Sequence, residues 1–332
     1  MFGLGPDINP YKNQHPDAGI TIYPRISEHD PIYCVEETSL RSAIFIPNEF
    51  KFGRDSKTPV ILVPGTGTYG GEAFAHSFAR LLKNSSFGDP IWLNIPGRMC
   101  GDSHLNAEYV AFAIAYISTC AQKPVAVGGW SQGNLATQWT LKYWPSTRSN
   151  VDNFISWGLT PIQGTQPGTP AVWHQRRNAD FIGTLRSNGG DSAYVPTTSI
   201  YSATDERGLG VTNCELQVQA KFRPAGLIYT HETVMYNPLA WALAEDAIKN
   251  VSVCMHTKAP GLNMLDATMT QALAPSALKH ILLFFPKPWH EPDLSLYASQ
   301  EEKTYVPDEV VVDAKVAVTV AEAEVPAAKV VA

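Results

Sequence analysis

Apolar residues along the chain fall into short unbroken runs, separated by stretches in which they recur at helical spacing. Val60-Ile-Leu-Val63, Ile91-Trp-Leu-Asn-Ile95, Val125-Ala-Val127, Phe154-Ile-Ser-Trp157 and Thr198-Ser-Ile-Tyr-Ser202 are runs of the first kind. A short, β-branched run bounded by Gly or Pro reads as a strand buried on both faces, as strands are in a parallel sheet. Between these runs, Phe74, Phe78, Leu81 and Leu82 share a helical face within Glu72 to Lys83. Tyr109, Ala113, Tyr116, Ile117 and Cys120 line a second such face, and Leu135 to Trp144 forms a third helical segment. Alternating strands and helices predict an α/β fold with a mainly parallel central sheet and helices on both faces.

The ends of the chain break this rhythm. Residues 1–57 are polar and Pro-rich and read as an N-terminal lead-in with one strand, Arg41 to Ile46. The α/β domain is expected over 58–298, with a further strand at Gly226 to Thr230. From about residue 238 the pattern turns helical, over Leu239 to Ile248 and Met264 to Phe285, and Pro275 should kink or divide the second segment. These helices are placed to cap a site. Residues 299–332 repeat Val, Ala, Glu and Lys with few aromatics, which leaves too little apolar surface for a core and predicts a mobile tail.

Composition narrows the class. With 332 residues, 44% of them hydrophobic, the chain can bury a large core as one main domain. A net charge of −6 with scattered Lys and Arg excludes a nucleic-acid binder, which needs a concentrated basic face. The densest apolar run, Ile281 to Phe285, stops at Pro286, far short of the roughly 18 residues that cross a bilayer. Met1-Phe-Gly-Leu-Gly-Pro-Asp7 has neither the basic start nor the apolar core of a secretory signal, which leaves both an intracellular and an extracellular location open. The five cysteines show no Cys-x-x-Cys spacing, so no zinc site is expected, and an odd count leaves at least one unpaired. Cys100 and Cys120 are a candidate disulfide that spacing alone does not establish. Asn84-Ser-Ser86 and Asn250-Val-Ser252 fit the glycosylation pattern, which matters only in the secretory route.

One motif carries chemistry. The strand at Val125 leads into Gly129-Trp-Ser-Gln-Gly133 and then directly into a helix, the strand-turn-helix setting in which G-x-S-x-G forms a nucleophile elbow. Ser131 is therefore the candidate nucleophile. A serine hydroxyl needs an imidazole to take its proton, and the imidazole needs a carboxylate to fix its tautomer. In this fold acid and base follow the serine in that order, each on a loop after a later strand. Asp205 follows Ile200-Tyr-Ser-Ala-Thr204, with Glu206 as the fallback acid, and His231 follows Leu227-Ile-Tyr-Thr230. His256, His280 and His290 close no apolar strand. The oxyanion of a tetrahedral intermediate needs donors, supplied by the backbone N–H of Gln132 and by Thr66 in the turn Pro64-Gly-Thr-Gly67.

The same turn also matches G-x-G-x-x-G, as Gly65-Thr-Gly-Thr-Tyr-Gly70, between a strand and a helix. A dinucleotide site expects an acid at the end of the second strand to bind ribose, and this chain offers Asn94 followed by Ile95-Pro96. The oxidoreductase reading fails at that position.

Taken in order, Val63-Pro-Gly-Thr-Gly-Thr68, Trp130-Ser-Gln-Gly133, Tyr143-Trp-Pro-Ser-Thr-Arg-Ser149, Val195-Pro-Thr-Thr198 and Tyr201-Ser-Ala-Thr-Asp-Glu206 resemble fungal lipases of the Candida antarctica lipase B type, over roughly Ser39 to Lys249. The resemblance implies an α/β-hydrolase fold, the triad Ser131, Asp205 and His231, an oxyanion hole from Thr66 and Gln132, and a narrow pocket with Trp130 in its floor and Thr68 nearby. It implies a cofactor-free, metal-free mechanism through an acyl-enzyme, an ester or lipid substrate, transient contact with a lipid interface, and an extracellular location. The chain departs from the family where an acidic residue is replaced around Pro161, where the segments after Gly164 and Asp205 are short, and where Asn134 stands for the usual second Gly after Gln132. An acyltransferase or esterase of a biosynthetic pathway and a noncatalytic binding protein on the same fold are the alternatives. Ala277 to Phe285 is either a lid or plain core.

Overall fold

Seven strands form one sheet: β1 (Ile44–Phe45), β2 (Thr58–Val63), β3 (Gly88–Leu93), β4 (Val125–Trp130), β5 (Val151–Trp157), β6 (Thr197–Tyr201) and β7 (Asn213–Glu215), in the order β1-β3-β2-β4-β5-β6-β7. Every neighbouring pair is parallel except β1 with β3. The computed structural model of the chain describes residues 15–158, 169–190, 192–202, 213–216, 229 and 231–250. The helices are α1 (Glu37–Ser42), α2 (Gly70–Phe74), α3 (Phe78–Asn84), α4 (Ser103–Ala121), α5 (Gln132–Tyr143), α6 (Pro170–His174), α7 (Asp180–Arg186) and α8 (Pro238–Asn250).

The apolar runs become central strands because both faces of the sheet are covered. Alternate residues of a strand point to opposite faces. In β2, Ile61 and Val63 join a cluster with Leu40 of α1, Phe112 of α4, Trp139 of α5 and Phe181 of α7. Val60 and Leu62 join the other, with Phe74 of α2, Phe78 of α3 and Trp241 of α8. Trp139, Trp144 and Trp157 are the largest fully buried side chains, and truncating such a residue to alanine costs about 3–5 kcal/mol. The α/β architecture with helices on both faces is as the sequence predicts.

Several boundaries differ, each for a local reason. The expected strand at Arg41 to Ile46 is two elements: Arg41 and Ser42 belong to α1, where Arg41 pairs with Glu37 one turn earlier, and only Ile44–Phe45 joins the sheet. The helix expected over Glu72 to Lys83 is split, because Ser77 has non-helical φ −119° and ψ −113° and its hydroxyl donates to the Ala73 carbonyl that a continuous helix would use. The lead-in is tied to the domain. Glu108 of α4, fully buried, accepts the backbone N–H groups of Cys34 and Val35 at 2.8 Å each, and burial pushes its carboxyl above the usual range. The strand expected at Gly226 to Thr230 and everything beyond Asn250, the tail included, lie outside the described residues.

Cys100 and Cys120 are free thiols, so the candidate disulfide between them is not formed; Cys34 is outside any disulfide as well, and Cys214 is disulfide-bonded. Among the described residues no helix is long and apolar enough to cross a membrane.

Candidate active site

The carboxyl ends of β2 and β4 are neighbours, and the turns that leave them build the site. β4 runs to Trp130 and α5 starts at Gln132, so a single residue, Ser131, makes the whole strand-to-helix reversal. It does so with φ +54° and ψ −123°, a conformation that L side chains rarely adopt. Two hydrogen bonds hold the strain: Ser131 N–H donates to the Trp157 carbonyl at 3.1 Å, and the Ser131 carbonyl accepts Asn134 N–H at 3.0 Å. The backbone approaches so closely that a Cβ on Gly133 would lie 2.3 Å from the Val63 carbonyl oxygen. A Cβ on Gly65, from the other turn, would lie 2.8 Å from the Ser131 Cβ. Asn134 is fully buried, and its amide donates to the Trp157 carbonyl at 2.9 Å, which adds a tether to the elbow.

Thr66 and Gln132 are brought together. The Thr66 hydroxyl donates to Gln132 Oε1 at 3.0 Å and accepts from Gln175 Nε2 at 2.7 Å. Gln132 Nε2 donates to Ser103 Oγ at 3.0 Å. Being the first residue of α5, Gln132 has an N–H with no carbonyl one turn earlier to bond, and it sits at the positive end of the helix dipole. Thr68 is buried and turns its hydroxyl to the Gly65 carbonyl at 3.0 Å, which braces the turn carrying Thr66. Asn94, where a nucleotide site would need an acid, instead accepts Gly71 N–H at 3.1 Å and ties down the start of α2.

His231 is half-buried beside the elbow. The Trp130 indole N–H donates to the His231 carbonyl at 3.2 Å, and the two rings lie 5.5 Å apart between centroids. Of the residues singled out in the sequence, Ser131, Gln132, Thr66, Thr68, Trp130 and His231 are placed around these two turns, while Asp205 and Glu206 lie outside the described residues.

A second group of the same residue types stands at the start of α4. Asp102, His104 and His174 bring potential ligand atoms within 4.8 Å of one another, with Ser103 between them. Asp102 caps α4, its Oδ1 taking His104 N–H at 2.8 Å and facing His104 Nδ1 at 2.7 Å. Burial, the largest single influence, pushes the Asp102 carboxyl up, but the hydrogen bonds from His104 and the charge interactions with His104 and His174 together outweigh it and the net shift is downward. Ser103 N–H donates to His174 Nδ1 at 3.2 Å, and burial pushes the His174 imidazole below its ordinary value. This is not a second nucleophile. Ser103 is 1% exposed, its hydroxyl oxygen accepts from Gln132, and its amide rather than its hydroxyl faces the imidazole. The sequence reading missed Ser103, His174 and Gln175, because they meet Gln132 and Thr66 only through the fold. The single local signal is Asp102 before an apolar helix, a capping position.

No protein-family model matches the chain. A lipase B of Pseudozyma antarctica is 36% identical over 157 residues, an alignment that takes in 45% of this chain and 46% of that one, so it spans under half of the curated relative. The crystal structure of Aspergillus fumigatus lipase B is 40% identical, with a TM-score of 0.71, covering 88% of this chain and 79% of that one. With this sheet order, this elbow and that extent of likeness, the chain belongs to the fungal lipase B family.

Proposed function

We propose that the chain is a serine carboxylic ester hydrolase that works through an acyl-enzyme on an ester or lipid substrate. The observation that carries this reading is the strained Ser131 turn at the mouth of β4, set against Thr66 and Gln132. Backbone strain of this kind, held in place by surrounding structure, clusters at active sites.

Ser131 Oγ attacks the ester carbonyl while His231 takes its proton, and Asp205 holds the imidazole in the required tautomer. Charge then gathers on the former carbonyl oxygen. The Gln132 N–H at the head of α5 and the Thr66 N–H and hydroxyl are the donors for it, and donors of this kind contribute about 2.7–4 kcal/mol each to the transition state. In the resting site the Thr66 hydrogen points to Gln132 Oε1. It has to turn to the oxyanion, while Gln175 keeps the Thr66 oxygen in place. His231 returns its proton to the leaving alkoxide, and water repeats the sequence on the acyl-enzyme. Trp130, packed against His231, contributes to the floor of the acyl pocket.

The test is hydrolysis of p-nitrophenyl esters from acetate to palmitate by the wild type and by Ser131→Ala, with fluorophosphonate labelling of Ser131. Turnover that disappears in the variant supports the reading, and the chain-length profile chooses between esterase and lipase. A wild type that neither turns over an ester nor takes up the probe overturns it in favour of a binding role.

A further inference from the structure

Four hydrogen bonds and one stretch of chain close a ring behind the oxyanion donors. Gln175 Nε2 donates to Thr66 Oγ1, the Thr66 hydroxyl to Gln132 Oε1, Gln132 Nε2 to Ser103 Oγ, and Ser103 N–H to His174 Nδ1. His174 and Gln175 are consecutive residues at the end of α6, so the ring returns to its start. All distances are between 2.7 and 3.2 Å. Apart from Thr66, the four side-chain residues are at most 3% exposed. The ring joins four elements that are remote in sequence: the β2 turn, the start of α4, the start of α5 and the end of α6.

We infer that Ser103 and His174 are positioning residues for the proposed ester hydrolysis, holding the Gln132 carboxamide so that the two oxyanion donors keep their spacing through each turnover. The argument rests on the hydrolase reading and follows from what happens when Thr66 turns. At that moment Gln132 Oε1 loses its donor, and Ser103 becomes the tether that remains on the carboxamide. A buried carboxamide released at both ends would seek new partners and draw the Gln132 backbone with it, and small misplacements of such donors are costly. Ser103 holds its place because its own amide is fixed by His174. That imidazole must be neutral with its proton on Nε2, since Nδ1 accepts. The ring of His174 is clamped in turn: it stacks on Phe181 with centroids 5.5 Å apart and meets His104 edge-on at 5.1 Å, while Asp102 holds His104.

The experiment measures kcat and KM for p-nitrophenyl butyrate in wild type, Ser103→Ala, Ser103→Thr, His174→Asn and His174→Phe, alongside fluorophosphonate labelling. Asn presents an acceptor where Nδ1 stands, whereas Phe fills the space without one. Expected are a fall in kcat of about tenfold for Ser103→Ala with KM within twofold, and recovery in Ser103→Thr, because a lost hydrogen bond felt only in the transition state lowers kcat alone. His174→Phe should behave like Ser103→Ala and His174→Asn like wild type. A Ser103→Ala enzyme with wild-type kcat overturns the inference. Should Ser103→Ala fail to fold, the His174 pair decides: equal kcat for Phe and Asn overturns it. If the wild type neither turns over nor takes the probe, the hydrolase reading itself has failed and this inference falls with it.

Discussion

Two helix starts in this molecule each present a serine in the neighbourhood of a histidine and do opposite things. At the start of α5, Ser131 is half-buried and strained, and the ring of its neighbour Trp130 packs against His231. At the start of α4, Ser103 is sealed in, with Asp102, His104 and His174 around it, and its backbone is ordinary helix. Serine, histidine and aspartate in proximity are therefore not a catalytic triad by themselves. What sets Ser103 apart is that its amide rather than its hydroxyl faces the imidazole and that its hydroxyl is sealed from solvent, whereas Ser131 is half-buried in a strained turn. At the α5 start the Gln132 N–H has no carbonyl one turn earlier to bond, while the α4 start commits its donors to holding other groups.

The contrast can be broken most sharply with alanine at each serine. Ser131→Ala should lower kcat for p-nitrophenyl butyrate by about 10⁴-fold or more, against about tenfold for Ser103→Ala, in the same steady-state assay. Comparable losses at both positions would erase the distinction. Thr66→Val, which keeps the shape and removes the hydroxyl, should cost about 10²–10³-fold in kcat with little change in KM. A loss below threefold would mean that the hydroxyl hydrogen stays on Gln132 throughout. Gly133→Ala tests the backbone beneath the elbow. With carbonyl oxygens 2.3 and 2.7 Å from the new methyl, it should destabilise the fold by about 3 kcal/mol in urea titration, whereas Gly183→Ala, where nothing lies within 4 Å, should not.

The smallest effect concerns acid. Burial depresses His174, so above about pH 6.5 the imidazole is neutral in both folded and unfolded chains and its neutral, accepting form is fully available. As pH falls from there through the lower folded value, the unfolded chain binds the proton first and stability is lost. Asp102 acts in the same direction at lower pH, its charged form being favoured by His104. Wild type should therefore lose about 2 °C more in Tm than His174→Asn between pH 7 and pH 5 by calorimetry. Parallel curves would show that His174 does not titrate in this range.

The α5 start was readable along the chain because its requirements are local: glycines flanking a serine, an apolar strand before, a helix after. The sheet was readable for the same reason, since burial on both faces leaves unbroken apolar runs such as Val60 to Val63. The α4 start was not. Ser103 meets Gln132 across 29 positions and Thr66 meets Gln175 across 109, and no periodicity encodes such pairs. Short elements also escaped notice: α6 and α7 have 5 and 7 residues and β7 has 3, too few to show a period. The lead-in read as irregular because its attachment to the core is made by partners distant in sequence, Glu108, Tyr116 and Ser146 among them, rather than by its own pattern.

The seam where Gly65 meets Ser131 and Gly133 meets Val63 has a bearing on how this protein can be remodelled. Neither turn has room for one added methyl, so directed evolution for bulkier or differently shaped esters will find no tolerated changes along this contact. New specificity has to come from positions beside the seam rather than along it. The two turns themselves will persist through such libraries as a fixed pair.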